Sequence, residues 1–442
     1  MKMEGYLFSS IEHSTIRAVG SAREVLEKRY RERMQELPQW SRLVSYAGNK
    51  HVPLLRLYRF KEAFSFALIR ELIKRLRITS EDLLLDPFCG MGTTLFAGMT
   101  QGIPSVGLDR LPVAAFIAET LPKFFRIPSG ALQEAFHRLS TKVYTLEPAP
   151  IADDVPVIKI AFEPRTLLKL RQWKTTLHLL EPPLRETFQL LLMSILESCS
   201  FMSNDGQFLR WKRNKQPMPP EVALARKVAE AERDLLHTRQ LFGEPKQDAI
   251  PQVLLGDARE ISKFSFKRSP SAVITSPPYP NRYDYTRSYS LELCFFFVRN
   301  FEELKSVRFS LLRSHIESKA DEHDQPPHPA VAEVLQALQG KPLNNPRIPV
   351  MLLAYFVDME RVIRGLAEVC ASGSSVAMVV DNVRFEGEMV PTDLILCDIA
   401  ARYGFETEEI VVARYKGNSS QQMGRYGRLP VRESVLFWQL RR

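Results

Sequence analysis

Two short stretches of this 442-residue chain hold residue types that could do chemistry together. The first is Asp86-Pro87-Phe88-Cys89-Gly90-Met91-Gly92-Thr93-Thr94, between the apolar run Leu83-Leu84-Leu85 and the helix-like Leu95-Phe96-Ala97-Gly98-Met99. It reads as a strand, a glycine turn and a helix. The second is Thr275-Ser276-Pro277-Pro278-Tyr279, directly after the strand-like Ala272-Val273-Ile274. Gly90 and Gly92 flank Met91, and glycine lets a backbone pass close to a ligand. Asp86 ends its strand with a carboxylate suited to a cationic amino group. The next strand, Pro104 to Asp109, ends in another acid 19 positions after Gly90; in doubly wound nucleotide folds an acid about 20 residues on takes the ribose hydroxyls. A phosphate-cradling P-loop is excluded, because its lysine is missing. A dinucleotide fingerprint fits poorly, since Leu95 stands where its third glycine belongs. Taken singly, the stretches have plainer readings as an ordinary strand-to-helix turn and a rigid proline turn. Their occurrence together favours a bound cofactor and a preorganised polar loop.

On these residues the sequence resembles the amino-methyltransferase family that uses S-adenosylmethionine to methylate adenine N6 or cytosine N4 in DNA. Asp86 to Thr94 matches its D-P-F-x-G-x-G-T-T cofactor motif, and Thr275 to Tyr279 its [D/N/S]-P-P-[Y/F] catalytic motif with Ser276 in first position. The resemblance implies that Asp86, Phe88, Gly90, Gly92, Thr93 and Thr94 hold S-adenosylmethionine and that Asp109 binds its ribose. It implies that Asp257, in Leu254-Leu255-Gly256-Asp257-Ala258, meets the adenine. Lys61 and Phe64, within the segment running from Tyr58 to Ser65, stand where the family closes over its cofactor. The likeness covers residues 51–120 and 250–440, with the cofactor motif preceding the catalytic one.

The chemistry accounts for the form of the proline loop. A ring-conjugated exocyclic amine is a poor nucleophile, because its lone pair is delocalised. Acceptors on its N–H groups favour a more tetrahedral nitrogen and return the lone pair to it. The Ser276 hydroxyl and Pro277 carbonyl are the expected acceptors, while Pro277 and Pro278 fix φ and stiffen them. Tyr279 is expected to stack on the base, which must be flipped out of a duplex to be reached. Ring-carbon methylation needs a thiolate, usually shown as Pro-Cys, and none of Cys89, Cys199, Cys294, Cys370 and Cys397 follows a proline. The five cysteines and eight histidines lack ligand spacing, so no metal and no disulfide framework is expected.

The composition suits a cytoplasmic enzyme. Hydrophobic residues at 45% can build a large core, and no apolar run approaches the ~20 residues of a membrane helix. The opening Met1-Lys2-Met3-Glu4 lacks the pattern of a secretory leader. A formal charge of +9 favours an anionic partner.

The elements that must position these residues fall into a shell and its inserts. The expected fold is α/β: a doubly wound, seven-stranded methyltransferase sheet with an antiparallel edge hairpin and a helical insert. Residues 1–50 read as a helical extension, with a helix near 25–33. Residues 51–124 and 249–442 form the catalytic domain, with helices at 61–78, 350–369 and 391–403. A strand runs from Ser374 to Val380, and a hairpin joins Glu409–Arg414 to Glu433–Leu440. Residues 125–248 form the helical insert, where Val222, Ala225, Val228, Ala231 and Leu235 make an apolar stripe. DNA contact is expected from Arg210, Trp211, Lys212, Arg213 and Lys215 in the insert, and from Arg313 in a second candidate region, 300–348. The glycine-rich loop holding Arg425 and Arg428 is a third site of contact. Ser276 tilts the target toward cytosine N4, because the family's adenine enzymes more often carry Asp or Asn there. Adenine N6, an RNA base, and a non-catalytic nucleic-acid-binding protein on the same fold remain alternatives. The implied partners are double-stranded DNA and a cognate restriction endonuclease or other defence component.

Overall fold

The computed structural model describes residues 20–204, 208–417 and 430–442. Among them the chain forms β1 (Met34–Glu36), β2 (Leu84–Asp86), β3 (Ser105–Asp109), β4 (Met202–Asn204), β5 (Leu209–Trp211) and β6 (Gln252–Leu255). There follow β7 (Ala272–Thr275), β8 (Ser375–Asp381), β9 (Val383–Phe385), β10 (Glu388–Val390), β11 (Phe405–Lys416) and β12 (Val431–Leu440). Eight of them make one sheet in the order β1-β11-β12-β8-β7-β2-β3-β6. The five strands from β6 to β8 are parallel, and β12 runs antiparallel to both β8 and β11. Helices cover both faces, so β2, β7 and β8 are buried almost throughout and read as continuous apolar runs. The chain reverses direction across the sheet between β2 and β7, and open α/β sheets bind ligands beyond the carboxyl ends at such a switch point.

The sheet has one strand more than the expected seven. After the helix Ala22–Tyr30, β1 pairs in parallel with β11, Met34 opposite Ile410, so the β11–β12 hairpin does not form the edge. Met34-Gln35-Glu36 is too short to show a strand period. The hairpin itself pairs from Phe405 opposite Leu440 to Lys416 opposite Val431. Its connection, with Arg425 and Arg428, lies outside the described residues.

One core fills the first face of the sheet and continues into the insert. Phe96 and Ile117 of the shell share it with Trp173, Phe188, Leu191 and Leu235 of the insert. The second face packs the helices Pro329–Leu338, Ile348–Val369 and Thr392–Arg402 over β8 and β12. On the helix Pro220–Phe242 the buried stripe runs through Leu224, Val228, Ala231 and Leu235, while Val222 is exposed and Ala225 only partly covered. The rotation follows from Asp234, which is fully buried and accepts from the Leu54 amide at 2.9 Å and from the Arg56 guanidinium. The helix expected at 61–78 is confined to Phe66–Arg75, because the Ser65 side chain caps it by accepting from the Leu68 amide. Residues 61–64 are thereby left outside the helix, with 62–64 at the wall of a cleft. Among the described residues no helix is long and apolar enough to cross a membrane.

Candidate active site

The carboxyl ends of β2, β3, β6 and β7 meet at a cleft open to solvent, lined among others by Phe64, Phe88, Gly90, Asp109, Asp257 and Ser276. The turn after β2 is shaped by its glycines, which play different parts. Gly90 has φ 54° and faces the cleft, where an added Cβ would meet the Phe60 ring at 3.4 Å. Gly92 has φ 85°, and its missing Cβ faces Ala118 of the neighbouring helix at 2.9 Å. Of the two, only Gly90 lines the cleft; Gly92 lets two helices pack and starts Thr93–Thr100. Thr93 lines the cleft, whereas Thr94 is wholly buried behind it.

Two acids frame the turn. Asp86 is buried and accepts from the Thr275 hydroxyl at 2.7 Å and the Phe88 amide at 3.1 Å, which ties β2 to β7. Asp109 accepts from the Gly90 amide and the Leu111 amide, both at 2.8 Å, and so locks the glycine turn onto β3. Burial raises both carboxyls to about 6 against these donors. Asp257 differs. Burial pushes it up, but the Arg259 guanidinium, 2.6 Å away, holds it below the ordinary range. A ribose at Asp109 and a flat ring among Phe64, Phe88 and the Gly256 backbone fit this lining, whereas Asp86 is buried and is not part of it.

The segment before Phe66 contributes differently from expectation. Phe64 lines the cleft, but Lys61 turns away and donates to the Asn204 carbonyl, joining this segment to the β4–β5 hairpin. Glu62, which sequence reasoning missed, lines the cleft instead and accepts from the Tyr283 and Tyr289 hydroxyls. Its partners lie more than two hundred positions away, so no local pattern could reveal them.

At the catalytic loop, Ser276 and Pro278 line the cleft. The Ser276 hydroxyl donates toward the Tyr279 hydroxyl, which donates toward Glu433, each at a long 3.4 Å. Glu433 is buried and paired with Arg414 and Lys416; Lys416 also reaches Asp381 at 2.9 Å and lies 5.7 Å from the Tyr279 ring centre. Burial, opposed by Lys416, raises Asp381 to about 7. Sequence reasoning missed Glu433, Lys416 and Asp381. Their signal was position: Asp381 ends β8 and Glu433 pairs with it near the start of the antiparallel β12, at the end of the sheet where Ser276 leaves β7.

The basic residues expected to touch DNA separate into two groups. Arg210, Trp211, Lys212 and Arg213 are exposed on and just after β5, Arg210 stacking over the Phe208 ring. Lys215 is turned inward, its ammonium donating to the Glu197 and Met202 carbonyls, so it ties the hairpin down instead of facing outward. Arg313 is also no surface cation. It is 7% exposed and clamped between Asp358 at 2.7 Å and Asp324 at 2.5 Å. Asp358 in turn binds Arg259, so an unbroken ion-pair chain runs from Asp257 in the cleft to Asp324. It anchors residues 311–315, four of which line the cleft.

All five cysteines are buried and unpaired, and burial pushes the Cys89 thiol well up. Among the described residues no group of His, Cys, Asp and Glu is placed to hold a metal ion.

The chain matches no protein-family model. It is 31% identical over 473 residues to the type II methyltransferase M.BsoBI of Geobacillus stearothermophilus, spanning 94% of this chain and 91% of that protein. It is 32% identical over 463 residues to the type II methyltransferase M.AvaI of Nostoc sp., spanning 96% and 94%. The M.AvaI of Anabaena variabilis matches to the same extent. Among solved structures, the rRNA methyltransferase aviRa of Streptomyces viridochromogenes shares 10% identity over 86% of each chain with a TM-score of 0.33, a likeness too weak to bear on function.

Proposed function

The chain belongs to the type II DNA methyltransferases, which take their methyl group from S-adenosylmethionine, and we propose that it methylates N4 of a flipped cytosine within a specific duplex sequence. The observation that carries an exocyclic amine as the methyl acceptor is the polarity of the Ser276–Tyr279–Glu433 chain. A carboxylate at its end makes each hydroxyl donate toward it, which leaves the Ser276 lone pairs directed away from Tyr279 and available to an amine in the cleft.

When bound, S-adenosylmethionine supplies an electrophilic methyl group on a sulfonium. Asp86 and Asp109 hold the glycine turn, Asp109 at the ribose position and Asp257 toward the adenine, while Phe64, Phe88 and Glu62 complete the wall. Ser276 and the Pro277 carbonyl take the two N–H groups of the target amine and restore its lone pair. The proline pair keeps both acceptors in place, so little reorganisation is needed at the moment of attack. The methylated nitrogen is acidic enough to lose its proton to water or to Ser276. Serine in the first position of the motif supports cytosine N4, and a cognate restriction endonuclease is the partner that this reading implies. Mass spectrometry of nucleosides from DNA treated with the protein and labelled cofactor should show N4-methylcytosine. N6-methyladenine alone would overturn the base assignment.

Cofactor affinity should depend on pH through Asp86 and Asp109. Both carboxyls are raised above the ordinary ~3.9 to about 6, so without ligand the fold favours their neutral forms, and that contribution to stability is lost as pH rises through about 6. A cationic ligand favours the ionised forms and reverses the sign. S-adenosylmethionine should bind more tightly at pH 7 than at pH 5, with proton release near pH 6 seen as buffer-dependent heats in calorimetry. A dissociation constant flat across this window would contradict the placement of the cation beside these acids.

The exposed run Arg210 to Arg213 supports binding of DNA phosphates. Replacing Arg210, Lys212 and Arg213 with alanine should flatten the salt dependence of DNA binding by up to about one unit of slope for each phosphate left unneutralised. An unchanged slope would mean that these residues never touch the backbone.

A further inference from the structure

A second cleft adjoins the active site, and Arg282, Arg287, His315, Glu317, Asn344 and Phe208 line it. His315 lines both clefts. Three features of this place have no part in the chemistry of the Ser276 loop. First, Arg282 has φ 75°, a left-handed backbone that residues with a side chain rarely adopt, six positions beyond Ser276. Strain of this kind persists where the surroundings enforce it, and it concentrates at ligand sites. Here the Arg282 amide donates to the Ser314 carbonyl, which fixes the turn against the segment over the cofactor cleft.

Second, the charges do not cancel. Arg287 and Arg308 are both paired with Asp284 and Glu317, which accounts for the two acids. Among the described residues the half-buried Arg282 guanidinium is bonded to the neutral Asn344 side chain, at 3.1 Å, and to no carboxylate. Burial lowers its affinity for the proton with no acid opposing the shift. Third, His315 is 2% exposed and its Nδ1 has no hydrogen-bond partner among the described residues, an arrangement that native cores rarely leave uncompensated.

A surplus guanidinium fork, an orphaned imidazole nitrogen and a carboxamide, with the adjoining acids neutralised, fit a phosphodiester. We propose that Arg282, with His315 and Asn344, grips a phosphate of the DNA strand that bears the target base and so holds the flipped nucleotide against Ser276. The inference rests on the DNA reading given above. The exposed Phe208 lines this cleft and the Arg210 to Arg213 run follows it in the chain, so the strand would pass from that hairpin across Arg282.

The test is Arg282→Gly, because glycine adopts the observed φ without strain and only the side chain is lost. Methylation of unmodified bacterial genomic DNA and its salt dependence are measured alongside calorimetric binding of S-adenosylmethionine. The variant should raise KM for DNA about ten- to a hundredfold, the range for losing a charged hydrogen-bond partner. Its salt slope should drop by about one unit with cofactor affinity unchanged, and Arg282→Lys should restore much of the slope but less of KM. An active wild type with an Arg282→Gly variant of wild-type salt slope would overturn the phosphate grip and leave the proposed function standing. Loss of cofactor binding in the variant would overturn it too, by assigning Arg282 to the cofactor wall. A wild type that transfers no methyl group to DNA would overturn both.

Discussion

Ser276→Ala should slow methyl transfer by about 10²–10³-fold, the range seen when one preorganised polar partner is lost from a transition state. Cofactor affinity should stay at the wild-type value, because the Asp86, Gly90 and Asp109 turn is untouched. The alanine removes an acceptor from the target amine, the hydroxyl whose direction the chain through Tyr279 to Glu433 sets. Single-turnover measurements separate this step from product release. Glu433→Gln should reproduce part of the loss, since an amide can donate as well as accept and no longer fixes that direction, although it also disturbs the Arg414 and Lys416 pairs. A Ser276→Ala variant transferring methyl groups at the wild-type rate would mean that other groups hold the amine.

Arg313→Ala should destabilise the protein by about 3–5 kcal/mol, the cost of removing one member of a buried ion pair. The magnitude follows from what remains. Asp358 is wholly buried and Asp324 nearly so, and neither regains water when the guanidinium leaves. Arg259 still faces Asp358, and Arg361 lies near both acids at 3.9–4.0 Å, which keeps the loss below that of an isolated buried charge. Denaturant titration reads the stability. Under native conditions the folded variant should bind S-adenosylmethionine more weakly, because four of residues 311–315 line the same cleft as Gly90 and Asp109. The opposite pattern, full stability with a flatter salt slope, would restore Arg313 to the DNA surface.

The contrast between these residues shows where the sequence was legible. The strand, glycine turn and helix around Asp86 to Thr94 are contiguous, so propensity and spacing alone place Gly90 at the sheet's open end. Asp109 and Ser276 follow for the same reason, as residues ending or just leaving strands. Gly92 carried the same signature as Gly90, yet it serves helix packing, because a missing Cβ does not say what fills the space. Arg313 and Arg210 are indistinguishable by type. Only the fold brings Asp358 to one and leaves the other on an exposed strand. Glu62 and Glu433 gain their meaning from tyrosines far along the chain, Tyr283, Tyr289 and Tyr279. β1 escaped notice because three residues carry no period, and a neighbouring strand supplies all its pairing.

On the proposed function, the Ser276 loop moves a methyl group to the exocyclic amine of one base in one DNA context. Sequencing with modification detection, applied to DNA from cells producing the wild type or Ser276→Ala, tests it most directly. Wild-type cells should carry N4-methylcytosine at a single position of one recurring sequence, with that mark absent or rare in the variant. Equal modification in both, or none in either while the wild type binds S-adenosylmethionine, would contradict it.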